Sequence, residues 1–154
     1  MCGGVQFKRK KVQQDLGLLE AEDEVIRVFF PNPKAALLVD AGADLWLPWG
    51  RRKEQAGDWP EGGWARAESL AKPYWTRWEP ESLWIHPVGW MEKDPARHSH
   101  WFELAPGEGI HCIRLHKAEG SPLYIVTVPS TGDFKAEIHD RMPEIQRPLS
   151  ASIP

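Results

Sequence analysis

Chemistry in this sequence starts at its second residue. Cys2, in Met1-Cys2-Gly3-Gly4, becomes a 1,2-aminothiol once Met1 is removed. A free α-amine titrates at about 7.7–8.0 and a thiol at about 8.5, so both are partly in their reactive forms near neutrality. Such a pair does what an internal cysteine cannot. The amine condenses with an aldehyde to a Schiff base, and the thiol then closes a five-membered thiazolidine ring. Two further side chains are of a type to assist. Glu92 ends the apolar run Gly89-Trp90-Met91-Glu92, and His139 stands in Ile138-His139-Asp140-Arg141-Met142-Pro143. A carboxylate and an imidazole divide the proton transfers of imine chemistry, one serving the attacking amine and the other a substrate oxygen. Taken singly, each has a plainer explanation: a cysteine at position 2 by accident, a surface acid at a strand end, a hydrogen-bonded loop histidine.

The elements that must position these groups are mostly strands. Val25 to Phe30 is apolar and β-branched and stops at Pro31-Asn32-Pro33; Ala35 to Val39 and Asp44 to Leu47 read as two more strands. Further strands are expected at Leu83–His86, Val88–Met91, His100–Leu104, Ile110–Leu115 and Leu123–Val128. Lys10 to Glu20 and Ala65 to Ala71 have the composition of short helices, and Arg51 to Gly63 is a polar surface loop punctuated by Gly57, Pro60, Gly62 and Gly63. The expected fold is α+β, predominantly antiparallel β, with a barrel-like sheet and a few short helices. The 154 residues suit a single domain over 1–154.

Composition narrows the function classes. Apolar residues make up 42% of the chain, which is that of a folded protein and not a disordered one. No apolar run reaches membrane-spanning length, and the start MCGGVQFKRKK has no apolar stretch behind its charges, so neither a span nor a signal peptide is expected. Two cysteines, Cys2 and Cys112, make no disulfide framework, and a cytoplasmic location is expected. A net charge of −3 excludes a protein held to nucleic acid by bulk electrostatics, so any such site must be a local groove. Basic clusters stand at Lys8-Arg9-Lys10-Lys11 and Arg51-Arg52-Lys53. All nine tryptophans lie in the middle of the chain; most belong to the core, with two or three left to line a cleft.

Four blocks occur in a telling order: Met1-Cys2-Gly3, Ala65-Arg66-Ala67-Glu68, Gly89-Trp90-Met91-Glu92 and His139-Asp140-Arg141-Met142-Pro143. Smaller echoes are Leu47-Pro48-Trp49, Lys72-Pro73 and Tyr124-Ile125-Val126-Thr127. In these blocks, spread over nearly the whole chain, the sequence resembles the SOS-response-associated peptidase family, also called abasic-site processing proteins, as a divergent and phage-related member. The resemblance implies covalent capture of abasic sites in single-stranded DNA, preceded by autoproteolytic exposure of Cys2. It implies Cys2 as nucleophile, Glu92 as the group that orients or deprotonates the α-amine, and His139 as the group that handles the proton on the sugar ring oxygen. Arg66 and Arg141 match positions that grip phosphates, while Trp49, Trp90 and Trp64 are the candidates to contact DNA. Stacking of an unpaired base on an aromatic ring is worth about 1–3 kcal/mol. No cofactor and no membrane partner are implied, and a monomer is expected. Two positions depart from the family pattern. Trp64 stands where the family has an asparagine that helps hold the cysteine backbone and the sugar, and an indole accepts no hydrogen bond. Gly4 stands where the family has an arginine.

Three other readings compete. A catalytically impaired remnant would bind single-stranded DNA without reacting. A cysteine-type peptidase would need an oxyanion hole and a peptide cleft, for which no motif is present. A metal protein could use His98, His100, His111, Cys112 and His116, but no CxxC or HExxH spacing exists, and no metal is expected.

Overall fold

The computed structural model describes residues 3–11 and 22–147. Twelve strands dominate it: β1 (Gly4–Lys11), β2 (Glu22–Phe29), β3 (Ala36–Asp40), β4 (Leu45–Pro48), β5 (Trp64–Arg66), β6 (Pro80–Ile85), β7 (Gly89–Lys93), β8 (Ser99–Glu103), β9 (Gly109–Leu115), β10 (Leu123–Pro129), β11 (Arg141–Pro143) and β12 (Ile145–Gln146). Two short helices, α1 (Pro73–Thr76) and α2 (Gly132–Glu137), and a 3-10 turn at Ala67–Ser69 complete the elements. The α+β class with mostly antiparallel strands is therefore the observed one. The barrel is not. The strands form three separate sheets, and among the described residues the first one, ordered β2-β1-β7-β8, keeps β2 and β8 as open edges.

In that first sheet β1 lies between β2 and β7. Its alternation explains the packing: Val5 and Phe7 are fully buried while Lys8 faces water, the period-two pattern of a strand with one wet face. Val5 pairs with Val28 on one side and Trp90 on the other. The Lys10–Glu20 helix expectation fails at its start, because Lys10 and Lys11 continue β1; residues 12–20 lie outside the described part. Pairing to β2 extends through Lys11 opposite Glu22 and overrides local helix propensity.

The second sheet is built on β10, whose residues Leu123 to Thr127 are all buried. It pairs antiparallel with β9 and β11 and parallel with β5, where Ile125, Val126 and Thr127 face Trp64, Ala65 and Arg66. The expected Ala65–Ala71 helix is thus corrected to a strand followed by a single 3-10 turn, since Trp64–Arg66 satisfy their backbone against β10. The third sheet is the hairpin pair β3-β4. Core residues come from all three sheets: Val5, Phe7 and Val28 from the first, Ile110, Cys112 and Ile125 from the second, Leu37 and Leu47 from the third.

Gly63 is a tight point in this packing. Its carbonyl accepts hydrogen bonds from the Trp49 indole at 2.9 Å and from the Ile125 N–H at 2.8 Å. A Cβ there would stand 2.6 Å from Trp49 Nε1 and 2.8 Å from the Phe30 ring. Gly63→Ala is expected to destabilise the fold by about 1–3 kcal/mol, as overpacking of a filled site does. Urea unfolding measures this, and an unchanged midpoint would contradict the packing described.

Candidate active site

Two neighbouring strands fix the surroundings of the N-terminal block. The Gly3 N–H donates to Met91 O at 2.9 Å, Gly3 O accepts from the Phe30 N–H at 3.1 Å, and Gly4 pairs with Met91. Cys2 itself lies outside the described residues, as does Met1. The residue after Met91 is Glu92, only 2% exposed on a strand whose first four residues are all buried. Its Oε1 accepts from the Lys93 N–H at 3.3 Å. A carboxylate so withdrawn from water is costly unless its oxygens are engaged, which makes Glu92 a built feature of β7 and not a surface acid. Strand alternation places Trp90 and Glu92 on one face of β7, and Trp90 is stacked on Phe102 with ring centroids 4.5 Å apart.

His139 is held by a different set of contacts. Its N–H donates to Phe134 O at 3.1 Å, tying it to the end of α2, and its carbonyl accepts from Ser130 Oγ at 2.6 Å. The Asp140 carbonyl accepts from the Ser130 N–H at 3.0 Å, so the turn is pinned on both sides. The Arg141 N–H donates to His139 Nδ1 at 3.0 Å, which puts the hydrogen of the neutral ring on Nε2. Asp140 Oδ1 stands 3.1 Å from the same Nδ1 and is the partner that nitrogen would turn to in the charged ring. The neutral ring is therefore set up to donate from Nε2 and the charged ring from both nitrogens.

Beside His139 a cavity of about 230 Å³ opens, lined by Trp64, Arg66, Thr127, His139, Asp140 and Arg141. The topology explains the gathering. Thr127 on β10 lies between Arg66 of β5 and Pro143 of β11, so residues far apart in sequence meet across one strand. Arg66 is exposed, and no hydrogen bond or ion pair among the described residues holds its guanidinium. Arg141 is the opposite case. Only 8% exposed, it donates to Glu68 Oε2 at 2.8 Å and Oε1 at 2.7 Å, to Thr127 Oγ1 at 3.2 Å and to Thr127 O at 2.7 Å. A phosphate would have to displace Glu68 to reach its fork.

Of the groups singled out in the sequence, the cavity brings together Trp64, Arg66, His139 and Arg141. Glu92 is not among its lining residues. The tryptophan expectation is corrected for two of the three: Trp49 is fully buried against Phe30 and Trp64, and Trp90 is 3% exposed beneath Phe102 and Phe134, so neither presents a face to a base. Trp64 remains part-exposed at the cavity, its ring tilted on Phe30 at 4.7 Å and its buried indole N–H without a hydrogen-bond partner. The histidines of the metal reading go to separate places: His98 and His100 to Asp94, His111 to Glu144 and Ser82, His116 to Glu81. The His100 hydrogen bond holds the Asp94 carboxyl below its usual value.

No known protein family, curated protein or solved structure matches the chain. The site must therefore be read from its own residues. Glu68, Thr127 and Asp140 were not expected to serve it. Glu68 stood in the Ala65–Glu68 block, four residues after Trp64, and its role depends on a partner 73 residues away. Among the described residues, no helix is long and apolar enough to cross a membrane.

The Glu68–Arg141 pair carries a pH signature. The paired hydrogen bonds from Arg141, with the Glu68 N–H and the nearby Arg66 charge, hold the Glu68 carboxyl down to about 2 from its ordinary 4.5. The folded-state value is depressed, so its stabilisation is full above 4.5 and is lost as pH falls through about 2. Glu68→Gln should lower the melting temperature at pH 7, with the gap to the parent protein closing as pH drops across that window. A gap that stays constant would rule out the pair as its source.

Proposed function

We propose that this protein captures abasic sites in single-stranded DNA through a thiazolidine at Cys2, acting as a cytoplasmic monomer. The observation that carries the reading is the β1–β7 pairing. It anchors Gly3, the covalent neighbour of Cys2, on Met91, the residue before a buried glutamate. A carboxylate next to the attachment point of an aminothiol is what the first proton transfer needs. The order of the four sequence blocks and the pinned His139 beside an exposed Arg66 support the same chemistry.

In the proposed reaction Met1 is removed and the Cys2 amine adds to C1 of the ring-opened deoxyribose. Glu92 accepts the proton the amine gives up, and His139 donates to the sugar oxygen as the ring opens. The carbinolamine loses one water to give an imine, and the Cys2 sulfur adds to the imine carbon to close the thiazolidine. Nothing is oxidised or reduced: hydrolysis of the Met1–Cys2 bond takes up one water, the condensation of Cys2 with the aldehyde releases one, and the thiol proton passes to the ring nitrogen. Arg66 supplies the exposed cation for a flanking phosphate, and Trp64 is the remaining aromatic surface at the cavity.

A second reading is favoured by the commitment of Arg141 to Glu68 and by the indole at position 64, which offers no acceptor: single-stranded DNA bound without reaction. Single-stranded DNA carrying one abasic site, run on a denaturing gel after incubation, separates the two. The capture reading predicts a denaturant-resistant band that Cys2→Ala abolishes and that Glu92→Gln and His139→Ala slow by about 10²–10⁴-fold. A shift seen only under native conditions would establish the second reading, and a band that survives Cys2→Ala would refute capture at that residue.

A further inference from the structure

The polar loop 51–63 is far more structured than its composition suggests. Arg51 and Gly62 exchange backbone hydrogen bonds at 3.0 and 2.8 Å, and the Arg51 guanidinium donates to Trp59 O at 2.7 Å and Gln55 O at 2.9 Å. The buried Tyr124 hydroxyl donates to Pro60 O, clamping the loop to β10, and burial pushes its phenol pKa up. Gly57, at φ +135°, lies against the Trp59 ring, where a Cβ would come within 2.6 Å of the indole. Such a loop is held for what it presents.

It presents a cavity of about 370 Å³ against the segment around α1, with Trp59, Tyr74 and Trp78 in its lining. No ring contact joins these three among the described residues; Trp78 is buried in the second core cluster and Trp59 packs against that cluster, which leaves Tyr74 as the ring open to the cavity. Tyr74 is 60% exposed, unusual for so large a ring. The buried Trp59 indole N–H has no hydrogen-bond partner. Two charged groups in the lining are also uncommitted. Asp58 makes no hydrogen bond or ion pair among the described residues, and the Arg77 guanidinium meets only the Trp78 ring, 4.9 Å from its centroid.

We infer that this cavity binds a nucleotide whose base carries an exocyclic amine. The base stacks on Tyr74, its amine donates to the Asp58 carboxylate, and Arg77 takes the phosphate. Charge alone does not select a simple cation, because Arg51 and Arg77 balance Asp58 and Glu61 in the lining, Glu61 lies 3.9 Å from Arg51, and Arg77 already stands over Trp78. The site is separate from the His139 cavity and does not depend on Cys2.

The test uses Cys2→Ala protein, so that loss of cross-linking has no bearing on it. Calorimetric titration compares CMP with UMP as free nucleotides, and short oligo-dC with oligo-dT as the strand-borne source. Binding is expected for CMP, oligo-dC or both, whichever arm responds naming the source, with the amine-free counterpart at least about fivefold weaker. Tyr74→Ala should weaken that binding about fivefold or more, the loss of one stacked base. Asp58→Ala should bring the cytosine and amine-free ligands within about twofold of each other. Both side chains are exposed, so the variants should fold as the parent does. No binding in either arm at millimolar concentration, binding indifferent to Tyr74→Ala, or tighter binding of choline than of any nucleotide would overturn the inference.

Discussion

A strand buried along most of its length has to spend its backbone polar groups on neighbours, and in this protein β10 is that strand. Leu123 to Thr127 are sealed from water, so β5, β9 and β11 must all dock along it. The consequences reach the candidate site directly. Arg66 and Pro143 flank Thr127 because β5 and β11 pair on either side of it, and the turn carrying His139 follows from where β11 begins. The loop around Pro60 hangs from the same strand through Tyr124. A change that loosened β10 would scatter both cavities at once.

A second constraint is the treatment of arginine. Arg52, 8% exposed, lies over the Phe30 ring at 4.1 Å and donates to Phe30 O and Trp49 O; burial lowers its pKa. Arg141 is similarly drawn in by Glu68 and Thr127. Both behave as structural cross-braces whose forks tie separate segments together. Arg66 and Arg77 are left at the surface with cavities beside them. The sequence lists all four alike, and only the fold sorts braces from available cations.

Legibility followed interaction range. The apolar strands β2, β3, β7, β9 and β10 could be read from residue type and flanking prolines, because burial demands those types locally. β1 was hidden: only Val5 and Phe7 alternate inward before Lys8-Arg9-Lys10-Lys11, and the strand exists because β2 and β7 pair with it. β5, β11 and β12 are two or three residues long, below any periodic signal, and depend on long-range pairing. Tryptophan counts likewise revealed packing volume but not side: Trp49 and Trp90 fill the core, while Trp59 and Trp64 reach cavities. Glu92 and His139 could be named from their blocks; the burial of one and the pinned ring of the other required the sheets around them.

The central claim concerns a bond at Cys2, and intact mass spectrometry of the purified protein reads it most directly. With single-stranded DNA containing one abasic site, the account predicts a new species at the mass of the Met1-less protein plus the DNA, less one water. It predicts no such species with undamaged DNA. A protein that retains Met1 and gains no mass, or one whose adduct forms equally on undamaged DNA, would contradict it.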